Sequence, residues 1–243
     1  MLHRIVYFIL LLTILSCSTK QKESMQAAEE PIVAPSSLPE GFVSLFDGTT
    51  MSGWRIYKNK PNNSWEVLDG TLHCKPFAEG GDNQRSDLIT EEQYDNFEFS
   101  FEWKISAQGN SGVIYLVSEA YNESYETGPE YQVMDDDGYP GEVAAANRSA
   151  CNYDMHAIEN KKLNPAGEWN EGKIVVNNKH VEHWLNGEKV LEYDIDSDDW
   201  KARRDASKWK DFPGYGTVSK GHIALQDHGN EVWYRNLAIK VLN

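Results

Sequence analysis

Residues 97–106, FEFSFEWKIS, alternate apolar and polar side chains without a break. Phe97, Phe99, Phe101 and Trp103 fall on one side, and Glu98, Ser100, Glu102 and Lys104 on the other. Period two of this kind predicts a strand with one face in a core. Further strands are predicted in SWEVLDGTLHC (64–74), GVIYLVSE (112–119), EYQVMD (130–135), KIVVNN (173–178), HVEHWLNGEKVLEY (180–193), HIALQD (222–227) and VWYRNLAIKVL (232–242). Asp69-Gly70, Asn177-Asn178 and Asn186-Gly187 are turn pairs, and the last two make a meander of residues 173–193. Helical periodicity is scarce. DSDDWKARRDASKWK (196–210) is the best helix candidate, with acidic residues leading and basic ones trailing, as the helix dipole prefers. Many short strands separated by turns predict an all-β sandwich or jelly roll. In such a fold one sheet face fills the core, while the open face of a concave sheet is free for a ligand.

The chain start reads differently. Arg4 precedes an apolar run, Ile5 to Leu15, too short to span a bilayer comfortably as a mature helix. The run ends at Leu15-Ser16-Cys17 and resembles a bacterial lipobox. That resemblance implies a signal peptide over 1–16, lipid on Cys17, and an exported lipoprotein held at the membrane only by that lipid. Residues 17–40, polar with Ser and Pro, then read as a tether, and residues 41–243 as a single folded domain. Cys74 and Cys151 remain, and export permits either a disulfide between them or two free thiols.

Of 243 residues, 38 are Asp or Glu and 23 are Lys or Arg, a net charge of −15. Nucleic acid is therefore excluded as an expected partner, since phosphate binding needs a basic footprint. No CxxC, HExxH, GxSxG or P-loop spacing is found. Asp135-Asp136-Asp137-Gly138 has a faint likeness to a calcium loop but lacks the alternating ligands and the distant Glu. No cofactor is indicated, and a divalent cation is left open.

Candidate chemistry follows from the strand faces. With Tyr131 and Val133 turned to the core, Glu130 and Gln132 lie side by side on the other face, a pairing suited to hydroxyl recognition or to a base with its positioning partner. Asp154 and His156 share a face of an extended segment, with Arg148 just upstream. His183 alternates in phase with Val181 and Leu185, a placement more often found for a core histidine. In GHIALQDHGN (221–230), Ile223 and Leu225 face one way; His222, Ala224, Gln226 and His228 face the other. Asp227 points with the core residues unless a bulge re-aims it, and Gly229 permits a sharp turn.

The motifs FVSLFDGTTMSGW (42–54), WEVLDGTL, SDLIT, YDNFEFSFEWKIS, GNSGVIYLV, TGPEYQVMDDD, GEWN, HWLNG and GHIALQDHGNEVWYRNLAIK occur in that order. As a set they resemble the 3-keto-disaccharide hydrolase family over about residues 41–242. The resemblance implies a concanavalin A-like jelly-roll β-sandwich of two antiparallel sheets with a concave ligand-binding face. It implies a carbohydrate substrate, a glycoside or disaccharide oxidised at C3, cleaved at its glycosidic bond. A C3 ketone acidifies the C2 proton; a base removes it, the C1 oxygen leaves, and water adds back. Such a site needs a base, an acid, and donors or a Lewis acid at the ketone oxygen, rather than the paired carboxylates of ordinary glycosidases.

Carried onto this chain, the resemblance points to Glu130, Gln132, His183, Gln226, Asp227 and His228. Glu130 and His228 take acid or base roles, with His183 and His156 as further catalytic candidates. Gln132, Gln226, Asp227, Asp154 and Arg148 are expected to bind substrate. The chain departs from the family pattern at Cys151-Asn152, before Tyr153-Asp154. The alternative expectation is a non-catalytic carbohydrate-binding lipoprotein of the same fold, which would rely on surface aromatics such as Trp54 or Trp233. A conventional β-glucanase is disfavoured because its ExDxE signature is missing.

Overall fold

A computed structural model describes residues 38–242. The expected signal peptide, the lipidation site Cys17 and most of the tether lie outside the described residues. The strands are β1 (Val43–Ser44), β2 (Trp54–Ile56), β3 (Trp65–Leu68), β4 (Thr71–Cys74), β5 (Leu88–Thr90), β6 (Phe97–Ile105), β7 (Asn110–Val117), β8 (Glu130–Met134), β9 (Asn170–Asn177), β10 (His180–Leu185), β11 (Glu188–Asp194), β12 (His222–Leu225) and β13 (Val232–Val241). Among the described residues there is one α-helix, α1 (Asp198–Ala206), ahead of β12.

The strands form two antiparallel sheets. The larger runs β11-β10-β9-β6-β13-β4-β3, with β1 also paired to β13; the smaller runs β2-β5-β12-β7-β8. Local chemistry sets several of these pairings. Asp69 (φ 48°) and Gly70 (φ 76°) both take left-handed conformations, the requirement of a two-residue hairpin turn, and they join β3 to β4. Asn186-Gly187 does the same between β10 and β11. Between β9 and β10 the left-handed pair is Asn178-Lys179, one step later than Asn177-Asn178.

The core lies between the sheets. Phe97, Phe99, Phe101 and Trp103 of β6 meet Val113 and Tyr115 of β7, Tyr131 and Val133 of β8, and Ile223 and Leu225 of β12. Phe101 and Tyr131 pack edge to face with centroids 5.3 Å apart. On the far side of the smaller sheet, Ile89, Ile114 and Ala224 form a separate cluster with Tyr57. That same far side carries Gly112, Glu130 and Gln132, in register with Ile114 and Ala224. Cys74 and Cys151 are both buried and free, so the disulfide alternative falls away.

Strand β8 would be an open edge, but Ala150–Tyr153 runs along it. Gln132 N–H donates to Cys151 O (3.1 Å), Ala150 N–H to Gln132 O (2.8 Å) and Tyr153 N–H to Glu130 O (3.1 Å). This cover satisfies the edge groups and brings Tyr153 beside Glu130. The helix is shorter than the 196–210 segment predicts. Ser197 Oγ accepts from Trp200 N–H at 3.1 Å to start it, while extended Ser207 stops it and restarts a 3₁₀ turn at Lys208–Asp211.

Candidate active site

A cleft of about 130 Å³ opens on the far side of the smaller sheet. Its floor is Asn110, Glu130, Gln132, Gln226 and His228; its wall is Tyr125, Tyr153, Lys208 and Trp209. Alternation places the floor: Glu130 and Gln132 are two apart on β8, and Asn110 starts β7 beside them. Gln226 follows β12, tied by its N–H to Gly112 O at 2.9 Å.

Glu130 is only 4% exposed and forms no ion pair within 4 Å among the described residues. Its carboxylate lies against the bare backbone of Gly112: a Cβ there would come within 2.1 Å of Oε1. Burial pushes its pKa from 4.5 up to about 8, against the opposing pull of the Lys208 charge and the Gln226 amide, with Asp87 adding to the rise. Such a group exchanges a proton near neutral pH. Gln132 is held by a bond from its Nε2 to Asn147 O at 3.1 Å. Asn110 is almost fully buried, and its Oδ1 has no hydrogen-bond partner among the described residues, an acceptor facing a cleft that could receive a hydroxyl.

The wall comes from segments distant in sequence. Trp209 Nε1 donates to Tyr153 O at 3.0 Å, and Asp154 Oδ2 accepts from Lys208 N–H at 3.2 Å. Lys208 Nζ lies 4.3 Å from the Tyr153 ring centroid and 4.4 Å from that of Trp209. Burial lowers the Lys208 pKa, partly offset by Glu130 and Asp154.

The candidates read from sequence thus divide. Glu130, Gln132, Gln226 and His228 meet in the cleft. His183 does not. Its phase with Val181 and Leu185 carries it into the core, where Nδ1 donates to Ala150 O (2.8 Å) and Nε2 accepts from Tyr115 Oη (2.9 Å). Burial drops its pKa to about 3, so it is a neutral structural group. His156 is also outside the cleft lining: it stacks on Tyr193 at 4.6 Å, and burial, reinforced by Arg203, lowers its pKa to about 4. Asp227 is fully buried and gripped by Arg85, with Nη2 2.6 Å and Nε 2.9 Å from Oδ1. It holds the β12–β13 loop rather than facing a ligand. Asp154 braces Lys208 from behind, and Arg148 donates to Asp136 O at 3.2 Å, away from the cleft lining. His222 faces Thr90 O (2.7 Å) and Gln93 (2.9 Å), under cover.

Two further expectations change. The Asp135–Asp137 loop serves itself: Asp135 accepts from Gln108 and Gly138 N–H (2.8 and 3.0 Å), and Asp136 pairs with Lys161 at 2.6 Å. Trp54 is 5% exposed in the core, and Trp233 stacks on His73 at 5.1 Å on the larger sheet. The sequence reading missed Asn110, Tyr125, Tyr153, Lys208 and Trp209. Lys208 and Trp209 sit just past the helix, at a Ser that can cap a new turn, which is the only local signal of their special placement.

Residues 41–240 match the family described as the 3-keto-alpha-glucoside-1,2-lyase-like domain. The chain is 34% identical over 247 aligned positions to a 3-keto-disaccharide hydrolase of Bacteroides thetaiotaomicron, covering 91% of this chain and 85% of that one. A solved structure of a candidate glycosyl hydrolase from Parabacteroides distasonis superposes with a TM-score of 0.77 at 39% identity, over 84% of this chain and 95% of the other. A carbohydrate-binding module from Bacillus subtilis shares the sandwich fold at a TM-score of 0.50 and 11% identity, over 79% of this chain and 98% of the module. Matched along nearly all of its folded length, the chain belongs to the 3-keto-disaccharide hydrolase family and is an enzyme of the glycosidase type.

Proposed function

We propose that the cleft cleaves 3-keto-glycosides by elimination followed by hydration, with Glu130 as base and His228 as acid. The observation that carries this reading is the unpaired, buried Glu130 carboxyl, with its pKa raised to about 8, in a cleft of about 130 Å³, a volume suited to one sugar ring. Glu130 takes the proton from C2, and the C2–H electrons form the C2=C3 enolate. The enolate re-forms the C3 ketone as C1=C2 forms and the C1–O1 bond breaks. His228, as imidazolium, gives its proton to the departing O1. Water then adds its oxygen to C1, its proton passing to the now neutral His228, while protonated Glu130 returns a proton to C2. Gln132, Gln226 and Asn110 receive the ring hydroxyls. The lipobox-like start extends the reading to an exported protein tethered through Cys17.

The test is aglycone release from a glucoside and from its 3-keto counterpart, run side by side with and without a chelator. Turnover of the keto form alone is expected. Cleavage of the unoxidised glucoside, or binding of either sugar without release, would overturn the proposal.

A further inference from the structure

Two charged groups of the cleft lack a salt-bridge partner. Glu130 is one, and Lys208 is the other: neither forms an ion pair within 4 Å among the described residues, not even with each other. Both nonetheless line the same small cleft, and each feels the other's charge. Lining one cleft without touching, they leave room between them for a polar group of a ligand. In a 3-keto-glycoside the C2 proton and the C3 oxygen sit on adjacent carbons, so a base at the first and a cation at the second must be neighbours that do not touch.

The placement of Lys208 suits the second role. Its ammonium lies over the faces of Tyr153 and Trp209, at 4.3 and 4.4 Å from the centroids. Ring faces attract the charge without engaging the N–H groups in directed bonds, so these remain free for an oxygen. The residue is also fixed from behind. Asp154 Oδ2 accepts its backbone N–H at 3.2 Å, Ser207 Oγ accepts from Trp209 N–H at 3.2 Å, and Trp209 Nε1 is bound to Tyr153 O at 3.0 Å. A donor held in advance where negative charge develops stabilises the transition state more than the ground state.

We propose that Lys208 is a catalytic residue whose ammonium binds the C3 oxygen and stabilises the enolate formed when the C2 proton leaves. This rests on the 3-keto-glycoside reading above. The chemistry is balanced within the site: the proton goes to Glu130, the electron pair to O3, and no bond to Lys208 is made or broken. The charged and titratable groups facing Lys208 are Glu130, Asp154 and the Tyr153 phenol.

The experiment measures C2 hydrogen–deuterium exchange by NMR on a 3-keto sugar lacking a leaving group at C1, and kcat and KM on a cleavable 3-keto-glycoside. Lys208→Met is expected to slow exchange and lower kcat by roughly 100-fold or more, the range for a lost oxyanion donor, with KM shifted by only a few-fold. Lys208→Arg should recover at least about tenfold of that loss, since it keeps the charge near the oxygen. Unfolding midpoints of both variants monitor folding. Exchange in Lys208→Met within about threefold of wild type would overturn the assignment. So would a borohydride-trapped sugar adduct on Lys208, which would make the amine a covalent nucleophile. If the wild type itself neither exchanges nor cleaves, the functional reading fails and the Lys208 role fails with it; wild-type turnover with an unimpaired variant sinks the Lys208 role alone.

Discussion

Glu130 is buried in a place where its charge is unwelcome, and that fixes the sign of two measurements. As a base it must be ionised, and C2 exchange on a 3-keto sugar without a leaving group needs only this base, so the exchange rate should rise with pH through about 8, the value to which burial lifts it in the free enzyme. Lys208, Asp87 and Gln226 are the groups that tune this limb. An exchange rate that instead falls above that pH would show that Glu130 acts in its protonated form. Stability runs the other way. The native carboxyl holds its proton up to about pH 8, whereas the unfolded one releases it near 4.5, so native stability declines as pH rises between these values. Glu130→Gln should therefore abolish turnover by a factor of roughly 10²–10⁴. It should also unfold at a higher temperature than wild type above pH 8, and at a similar one below pH 4.5. Glu130 and Gln132 are legible in the sequence because period two on EYQV leaves them on one face and Tyr131 and Val133 on the other. The same rule places His183 in the core, and only the family resemblance carried by HWLNG argues for it as a catalyst. What period two does not convey is depth: both faces of β8 are covered, so Glu130 is buried rather than solvated, and that burial makes the carboxyl reactive.

The wall of the cleft is a property of elements. Five rings stack in sequence: His156 on Tyr193 (4.6 Å, 12°), Tyr193 on Trp200 (5.4 Å, 17°), Trp200 on Tyr215 (5.5 Å, 3°) and Tyr215 on Trp209 (4.3 Å, 4°). They come from a loop, β11, α1, the segment before β12 and the 3₁₀ turn, so the column ties the larger sheet to the cleft wall. Trp200 is its centre and the one buried residue of α1. Trp200→Ala should cost about 3–5 kcal/mol in denaturant unfolding, as for other large buried aromatics. It should also lower kcat by letting Trp209 and Lys208 drift, while leaving the pH limb of Glu130 in place. An unchanged kcat would mean that Asp154 and Tyr153 alone hold the wall. The helix is visible in the sequence from its charge order, but the wall is not. Aromatics in DDWKARRDASKWK and FPGYG carry no period that says they lie one above another, since the stack is made by segments that meet only after both sheets have formed.

At the scale of the whole molecule, the sandwich must keep two loops together for the floor to exist. One leads from β4 to β5 and carries Arg85; the other leads from β12 to β13 and carries Gln226 and His228. Arg85 joins them, since its Nη2 reaches both Asp227 Oδ1 and Lys75 O at 2.6 Å. Asp227 is wholly buried, its N–H donates to Asp87 Oδ1 at 2.8 Å, and its Oδ2 has no partner among the described residues. The pairing spans 142 residues, which is why alternation can say only that Asp227 turns away from Gln226 and His228, and not what it meets. Removing the guanidinium strands a buried carboxylate, a loss of about 3–5 kcal/mol in related cases. Arg85→Met should therefore be destabilised by that order in urea unfolding and lose activity as the loop loosens. Adding Asp227→Asn removes the stranded charge while keeping an oxygen for Gly229 N–H, now at 3.1 Å from Asp227 Oδ1. The double variant should be more stable than Arg85→Met alone, and the two effects should be strongly non-additive. If the losses simply add, Arg85 supports the fold through Lys75 O rather than through Asp227, and the β12–β13 loop owes its position to Asp87 instead.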